Sequence, residues 1–405
     1  MRVLYIDPKF GNPRAASHVR VVKFGQRLRE RGHDVTIVGR NGGGLELEGA
    51  EQARDRLYVR GGLEGLDVIL LRVPYEQSFT KWKRLLAYGG FTAAAAAAGA
   101  AVGPADAVVA SSSPLTIGIS GVAAARMRRA PFVFEIQDLW PAVPIALGFL
   151  RGRAEVRAAE TLELRLYHAA ARVIVCSEGM AESLRERGIS ERKIVLIPNV
   201  ANVEDFRPDV ADPGFRDRYG LDGKFVALYA GALGLTNGVD QLMDAAAALE
   251  EDDGVVITVA GFGTERERLE RRARELPNLV VLPKLPREEI PRVVGAADAT
   301  ITAFAPVKAL EVNSPNKFFD SLSAGKPTIV NLNGWLRRLV EENHAGVYVP
   351  AGDGPALADA LRDLAAKPEL AAEMRKNARA LAEREFAADL LADRFAATVE
   401  QAAAE

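Results

Sequence analysis

Cysteine occurs once in the 405 residues, at Cys176, which excludes an internal disulfide framework. Four histidines leave little material for a Cys/His zinc site, and no metal is expected. A formal net charge of -2 provides no global field for a polyanion, so nucleic acid is not an expected partner and any anionic ligand must be met locally. Long apolar runs are also missing. The alanine-rich FTAAAAAAGAAVG, residues 91–103, falls short of the roughly 20 apolar residues of a membrane span and reads as part of a helix. Met1 leads straight into the strand-like RVLYI with no leader pattern, so a cytoplasmic location is expected.

What is present is a repeated alternation. RVLYI, DVTIVG, DVILLRV, DAVVAS, FVFEI, RVIVCS and KIVLIPN are short apolar runs, most of them separated by segments of helical period. The pattern restarts with KFVALYAG, VVITVAGFG, LVVLPKL, ATITAF, PTIVNLN and GVYVPAG, after a Pro/Gly/Asp-rich stretch at 199–223 that reads as a linker. Continuous Val/Ile/Leu strands alternating with helices indicate parallel sheets covered on both faces. The expectation is an α/β chain of two doubly wound, Rossmann-like domains facing a cleft. Residues 1–204 and 205–385 would form the domains, with a last helix, 386–405, crossing back to the first. In such sheets ligands bind outside the carboxyl ends of the strands.

EVNSPNKFFDSLSAGKPTIVN, residues 311–331, carries polar residues where a core helix would carry none. Ser314 is expected as N-cap with Pro315 at the first helical position, and Gly325 as the terminator. Phe318 and Leu322, four apart, would face the sheet, leaving Asn316, Lys317 and Asp320 on another side. The free N–H groups of the helix start suit a phosphate, Lys317 adds a charge, and Asp320, one turn on, fits the two hydroxyls of a ribose. In GFGTERERLE, residues 261–270, Gly261 and Gly263 would either let backbone approach a nucleotide or simply make a tight turn, and Thr264 with Glu267 reads as a capping box. The third glycine of a dinucleotide fingerprint is absent there and after the first strand, which disfavours a nicotinamide enzyme.

SPNKFFDSLSAGKPTIV, EIQDLWPAVPIALG (135–148), ASSSPLTIG (110–118) and YAGALGLTNGVDQLMDAA (229–246) together resemble the retaining glycosyltransferases of family 4, with the GT-B fold. The branch they look most like is the bacterial fucosaminyltransferase-like enzymes of surface-polysaccharide synthesis. The resemblance implies a nucleotide-sugar donor, expected to be UDP-linked, on the second domain and a glycan or polyprenyl-diphosphate-linked acceptor on the first. No other cofactor is expected, and the absence of any Asp-x-Asp agrees with a metal-independent donor site.

Carried over residue by residue, Asp320 matches the second acid of the family's Glu-x7-Glu motif, while the first falls on Val312, with Glu311 one residue out of register. The positions of the family's Arg and Lys, which clamp the diphosphate, are Ala232 and Asn237. Lys317 is therefore the leading candidate to neutralise the leaving diphosphate, with Lys284 and Lys308 behind it. Asn313, Ser314, Asn316 and Gly231 complete the expected donor site. Asp138, at the place of a catalytic pair in many relatives, and Glu135 are the candidate carboxylates of the first domain. Lys9, Arg14, His18, Arg20 and Ser113 are candidate acceptor contacts. FTKWKRLLAYGGF, residues 79–91, mixes basic and aromatic residues in a way that fits either an anionic membrane surface or a packed helix. Two rival readings stand beside transfer: a non-hydrolysing UDP-sugar 2-epimerase of the same fold, and a degenerate nucleotide-sugar-binding protein.

Overall fold

The computed structural model describes residues 1–11, 16–50, 57–76, 79–112 and 114–405, with only the backbone of Ala16, Ser17 and Lys81. The chain divides into two compact units, Met1–Pro198 with Asp389–Glu405, and Asn199–Ala388.

In the first unit, β1 (Arg2–Asp7), β2 (Asp34–Arg40), β3 (Tyr58–Leu63), β4 (Leu66–Leu71), β5 (Ala107–Ser112), β6 (Phe132–Ile136), β7 (Arg172–Val175) and β8 (Ile194–Leu196) form one sheet in the order β3-β4-β2-β1-β5-β6-β7-β8. All pairings are parallel except β3 with β4. Seven of these strands coincide with the apolar runs of the sequence. The exception, β3, reads YVRGGL and sits at the sheet edge, where two glycines and half-exposed positions leave no apolar run to find.

The second unit holds β9 (Phe225–Ala230), β10 (Val255–Ala260), β11 (Leu279–Val281), β12 (Ala299–Thr302), β13 (Thr328–Val330) and β14 (Gly346–Tyr348), all parallel, in the order β11-β10-β9-β12-β13-β14. Order reversal beside β1 and beside β9 creates a topological switch point in each sheet. The centres of both sheets are apolar on both faces: Leu4, Ile6, Val108 and Val109 are fully buried in one, and Leu228, Tyr229 and Ile257 in the other.

Three expectations need correction. Residues 199–223 are not a free linker, because Phe206, Phe215 and Leu221 are buried in an apolar cluster with Val226, Leu228 and Val256 of the second unit. The helix expected to begin at Pro315 spans Asn316–Ser323, with Pro315 in extended backbone at its cap position and no side-chain cap. The Thr264 to Glu267 capping box does not form either; that helix runs Arg266–Ala273 and its cap position, Glu265, is helical and makes no side-chain cap bond. The alanine-rich segment lies in the helix Lys81–Ala101. No helix among the described residues is long and apolar enough to cross a membrane.

Candidate functional site

In the second unit the loops following β9, β10 and β12 gather around the helix Asn316–Ser323. Their closeness is set by glycines. A Cβ on Gly261 would lie 2.0 Å from the Gly231 carbonyl oxygen, and one on Gly263, whose φ is +155°, 2.1 Å from that of Leu233. Backbone alone fits there. Gly231 lies against Lys317, its Cβ direction pointing 3.4 Å from Lys317 Cδ.

Phe318 and Leu322 are fully buried, as the spacing predicts, and Phe319 joins them. Asn316, Lys317 and Asp320 remain partly exposed. Lys317 Nζ donates to Tyr229 Oη at 2.7 Å and lies 3.9 Å from the centroid of the Tyr229 ring and 5.0 Å from that of Phe304. A longer contact, 3.4 Å, reaches the Ala303 carbonyl. No carboxylate pairs with Lys317 among the described residues, and burial lowers its pKa to about 7. Asp320 shows the mirror image. Its carboxylate has no hydrogen bond among the described residues, and burial, helped by Asp205 and opposed by Arg287, raises its pKa to about 7. Thus one helix presents, three residues apart, a cation and an anion, neither of them held in a salt bridge among the described residues.

At the same helix start, Ser314 Oγ and Asn313 Oδ1 are buried without partners. The Ser314 carbonyl accepts from Asn199 Nδ2. Buried polar atoms left unbonded are costly unless something else meets them. Lys284 and Lys308 are exposed; Lys284 lies 5.8 Å from the Phe262 ring and Lys308 opens the short turn Lys308–Leu310. Neither is brought to Lys317 or Asp320 by any contact. A depression of about 270 Å³ opens beside the β9 loop, lined in part by Gly234, Gly238, Arg268, Phe304 and Ala305, and neither Lys317 nor Asp320 lines it.

The first unit also gathers charge at the carboxyl ends of its strands, but in a different manner. Ser111 and Glu135 are register partners on β5 and β6, and Tyr5 on β1 shares their face. Glu135, fully buried, accepts from Tyr5 Oη at 2.7 Å, from Arg20 Nε at 2.7 Å and from Ser111 Oγ. Arg20 donates further to the Ile197 and Pro198 carbonyls. Burial by itself would raise the Glu135 pKa; Arg20 and the hydrogen bonds outweigh it and hold the carboxyl below its usual range. The structure places Glu135 and Arg20, expected as a second catalytic carboxylate and an acceptor contact, as a buried pair whose bonding capacity is used within the fold.

Asp138 is half-exposed, 3.6 Å from Lys9, so these two candidates are brought together. His18 stacks on Phe10 at 5.0 Å and its Nδ1 lies 2.7 Å from the Phe10 carbonyl oxygen. Arg14 and Ser113 lie outside the described residues. Sequence reading passed over Asp7, Tyr5 and Tyr229. Asp7 ends β1, receives the Lys9 N–H at 2.6 Å and lies 3.5 Å from Gln137 Nε2. Burial and the neighbouring Glu135 raise its pKa to about 6. A carboxyl at the end of a central strand was the signal available for it.

Against known proteins, residues 16–200 match the family described as Glycosyl transferase 4-like domain, and residues 214–381 that described as Glycosyl transferases group 1. Alpha-D-kanosaminyltransferase of Streptomyces kanamyceticus is 27% identical over 185 residues, 45% of this chain and 47% of that protein. A GDP-mannose-dependent alpha-mannosyltransferase of Mycobacterium tuberculosis is 25% identical over 246 residues, 61% of each. The chain spans about half the length of the curated relatives it matches. Among solved structures, Anabaena HepE in complex with UDP-glucose superimposes with a TM-score of 0.70 at 18% identity, covering 99% of this chain and 100% of that one. A match to a glycosyl transferase 4-like domain followed by one to a group 1 domain, each on its own parallel sheet, gives the chain the two-domain GT-B fold.

Proposed function

We propose that the protein is a retaining glycosyltransferase that moves a sugar from a UDP-sugar to a glycan or polyprenyl-diphosphate-linked acceptor of bacterial surface-polysaccharide synthesis. The observation that carries the donor half is the helix Asn316–Ser323, whose Lys317 and Asp320 form no salt bridge among the described residues. A nucleoside diphosphate supplies what each lacks: diphosphate oxygens for Lys317 and ribose hydroxyls for Asp320. Ser314 and the uncapped N–H groups of the helix start add donors to the same anion. HepE, of similar fold, has been solved with UDP-glucose, which supports a nucleotide sugar as the donor. The mannosyltransferase relative is named for GDP-mannose, so the base is a point to be measured.

In the reaction an acceptor hydroxyl oxygen bonds to the sugar C1 on the face that the diphosphate leaves. The C1–O bond electrons go to the diphosphate, and the acceptor proton follows to a diphosphate oxygen. Lys317 stabilises the charge that grows on the leaving group. Asp138, beside Lys9, is assigned to orienting the acceptor hydroxyl. An N-acetylated deoxyamino hexose is the sugar suggested by the branch resemblance. Both family matches are to glycosyltransferases, so the epimerase reading is not favoured.

A cytoplasmic enzyme peripheral to the membrane is part of the proposal. At the start of the helix Lys81–Ala101, Trp82, Leu85 and Leu86 are exposed beside exposed Lys83. Phe91 is buried and Tyr88 stacks on Tyr75 at 5.7 Å, so only the first turns are free for a lipid surface. The test of the donor site is calorimetric binding of UDP, GDP, ADP and CDP to the wild type and to Asp320→Ala. Selective UDP binding that is lost in the variant is expected. Preference for another base would change the donor, and binding of none would overturn the donor site.

A further inference from the structure

The two positions at which the family places its basic diphosphate clamp, Ala232 and Asn237, carry no charge here, and the first of them fixes a hydroxyl. Tyr229 Oη donates to the Ala232 carbonyl at 2.8 Å, while the Asn237 side chain accepts from the Gly234 N–H at 3.2 Å. With its only proton committed to Ala232, Tyr229 Oη can meet Lys317 Nζ solely as an acceptor, at 2.7 Å. The ring of Tyr229 lies under the ammonium at 3.9 Å and Phe304 flanks it at 5.0 Å. Phe304 is itself fixed. Its N–H donates to Asn331 Oδ1 at 2.9 Å, its carbonyl accepts from Asn331 Nδ2 at 2.8 Å, and a Cβ on Gly238 would strike its backbone.

We propose that Tyr229 is a positioning residue: held by the Ala232 carbonyl, it aims the Lys317 ammonium at the donor diphosphate and so sets one cation on an aromatic seat where the clamp is missing. The seat supplies no countercharge, so the ammonium is retained without being neutralised. This proposal rests on the donor-site reading above and adds a residue that touches the ligand only through Lys317. Tyr229 lies on β9 and presents no charge to Lys317, and Asp320 is the other titratable residue of the helix that carries Lys317.

The experiment measures UDP and uridine affinity in Tyr229→Phe, in Lys317→Met and in the double variant. Tyr229→Phe keeps the ring and removes the acceptor. UDP binding is expected to weaken about tenfold, the size of one hydrogen bond to a charged group, with uridine binding unchanged. In the Lys317→Met background the same change should alter UDP affinity less than about twofold, because the group it acts through is gone. The pH profile adds a readout that lost packing would not move. Wild-type UDP affinity should fall as pH rises past about 7, where Lys317 gives up its proton, and in Tyr229→Phe the fall should begin at lower pH. Phe304→Leu, which removes the second ring flanking Lys317, should weaken UDP binding in the same direction if Tyr229→Phe folds poorly. Equal loss of UDP and uridine binding, or an undiminished effect in the Lys317→Met background, would overturn the inference alone. A wild type that binds no nucleoside diphosphate would overturn it together with the donor site.

Discussion

Each unit sets an acid and a base near the carboxyl ends of its central strands, and the two arrangements are opposites. In the first, Arg20 and Glu135 have side-chain exposures of 3% and 0%, meet at 2.7 Å and use their remaining bonding capacity on Tyr5, Ser111 and two carbonyls. In the second, Lys317 and Asp320 stand three residues apart on one helix, each without a salt bridge among the described residues and each driven by burial toward its neutral form. A satisfied buried pair holds structure, whereas unsatisfied charges on a partly exposed helix face hold binding energy in reserve. Mutating equivalent chemistry in the two units should therefore change stability in opposite directions.

The largest effect belongs to the first unit. Arg20→Met strands the Glu135 carboxylate in the core and should cost about 3–5 kcal/mol in urea denaturation; a loss below 1 kcal/mol would mean the pair is not what holds these strands. In the second unit, Gly261→Ala forces a methyl against the Gly231 carbonyl and should cost about 1–3 kcal/mol and also weaken UDP binding, read by calorimetry on the same sample. Asp320→Asn should lower UDP affinity about tenfold or more, yet leave the second unit more stable at neutral pH.

The signs can be worked out from the pKa directions. Asp320 titrates near 7 in the folded chain against about 3.9 unfolded, so its ionisation penalises folding increasingly as pH rises from 4 to 7. Lys317 titrates near 7 against about 10.4 unfolded, so its penalty is absent above pH 10.4, grows as pH falls toward 7 and is constant below. Lys317→Met should accordingly stabilise by on the order of 1 kcal/mol at pH 7 and by almost nothing near pH 10.5. Urea melts at both pH values check this, and stabilisation equal at the two would point to better packing rather than a relieved charge. The smallest change in stability is expected for Trp82→Ser with Leu86→Ser, within about 0.5 kcal/mol, because both side chains are exposed. Sedimentation with anionic vesicles should then fall relative to wild type.

Much of the frame was legible before any coordinates. Thirteen of the fourteen strands announce themselves as short Val/Ile/Leu runs, because strands covered on both faces need apolar side chains throughout. The strand that escaped, β3, lies at an edge where burial asks little of its residues. Residues 199–223 were misread for a related reason: Pro, Gly and Asp dominate the stretch, and the few apolar anchors that tie it to the second unit are too widely spaced to form a pattern. In the helix Asn316–Ser323, period 3.6 correctly put Phe318 and Leu322 inside and Lys317 and Asp320 on another side.

The order of strands and helices, the buried faces and the polar face of one helix were thus settled by local sequence, since alternation and helical period act over a few residues. Which charges are spent and which are kept was not. Arg20 and Glu135 are separated by 115 positions, and Lys317 and Tyr229 by 88. Nothing in either stretch alone distinguishes an arginine locked in a core from a lysine seated on a ring, because burial, countercharge and hydrogen-bond partner come from strands that meet only when the sheet forms.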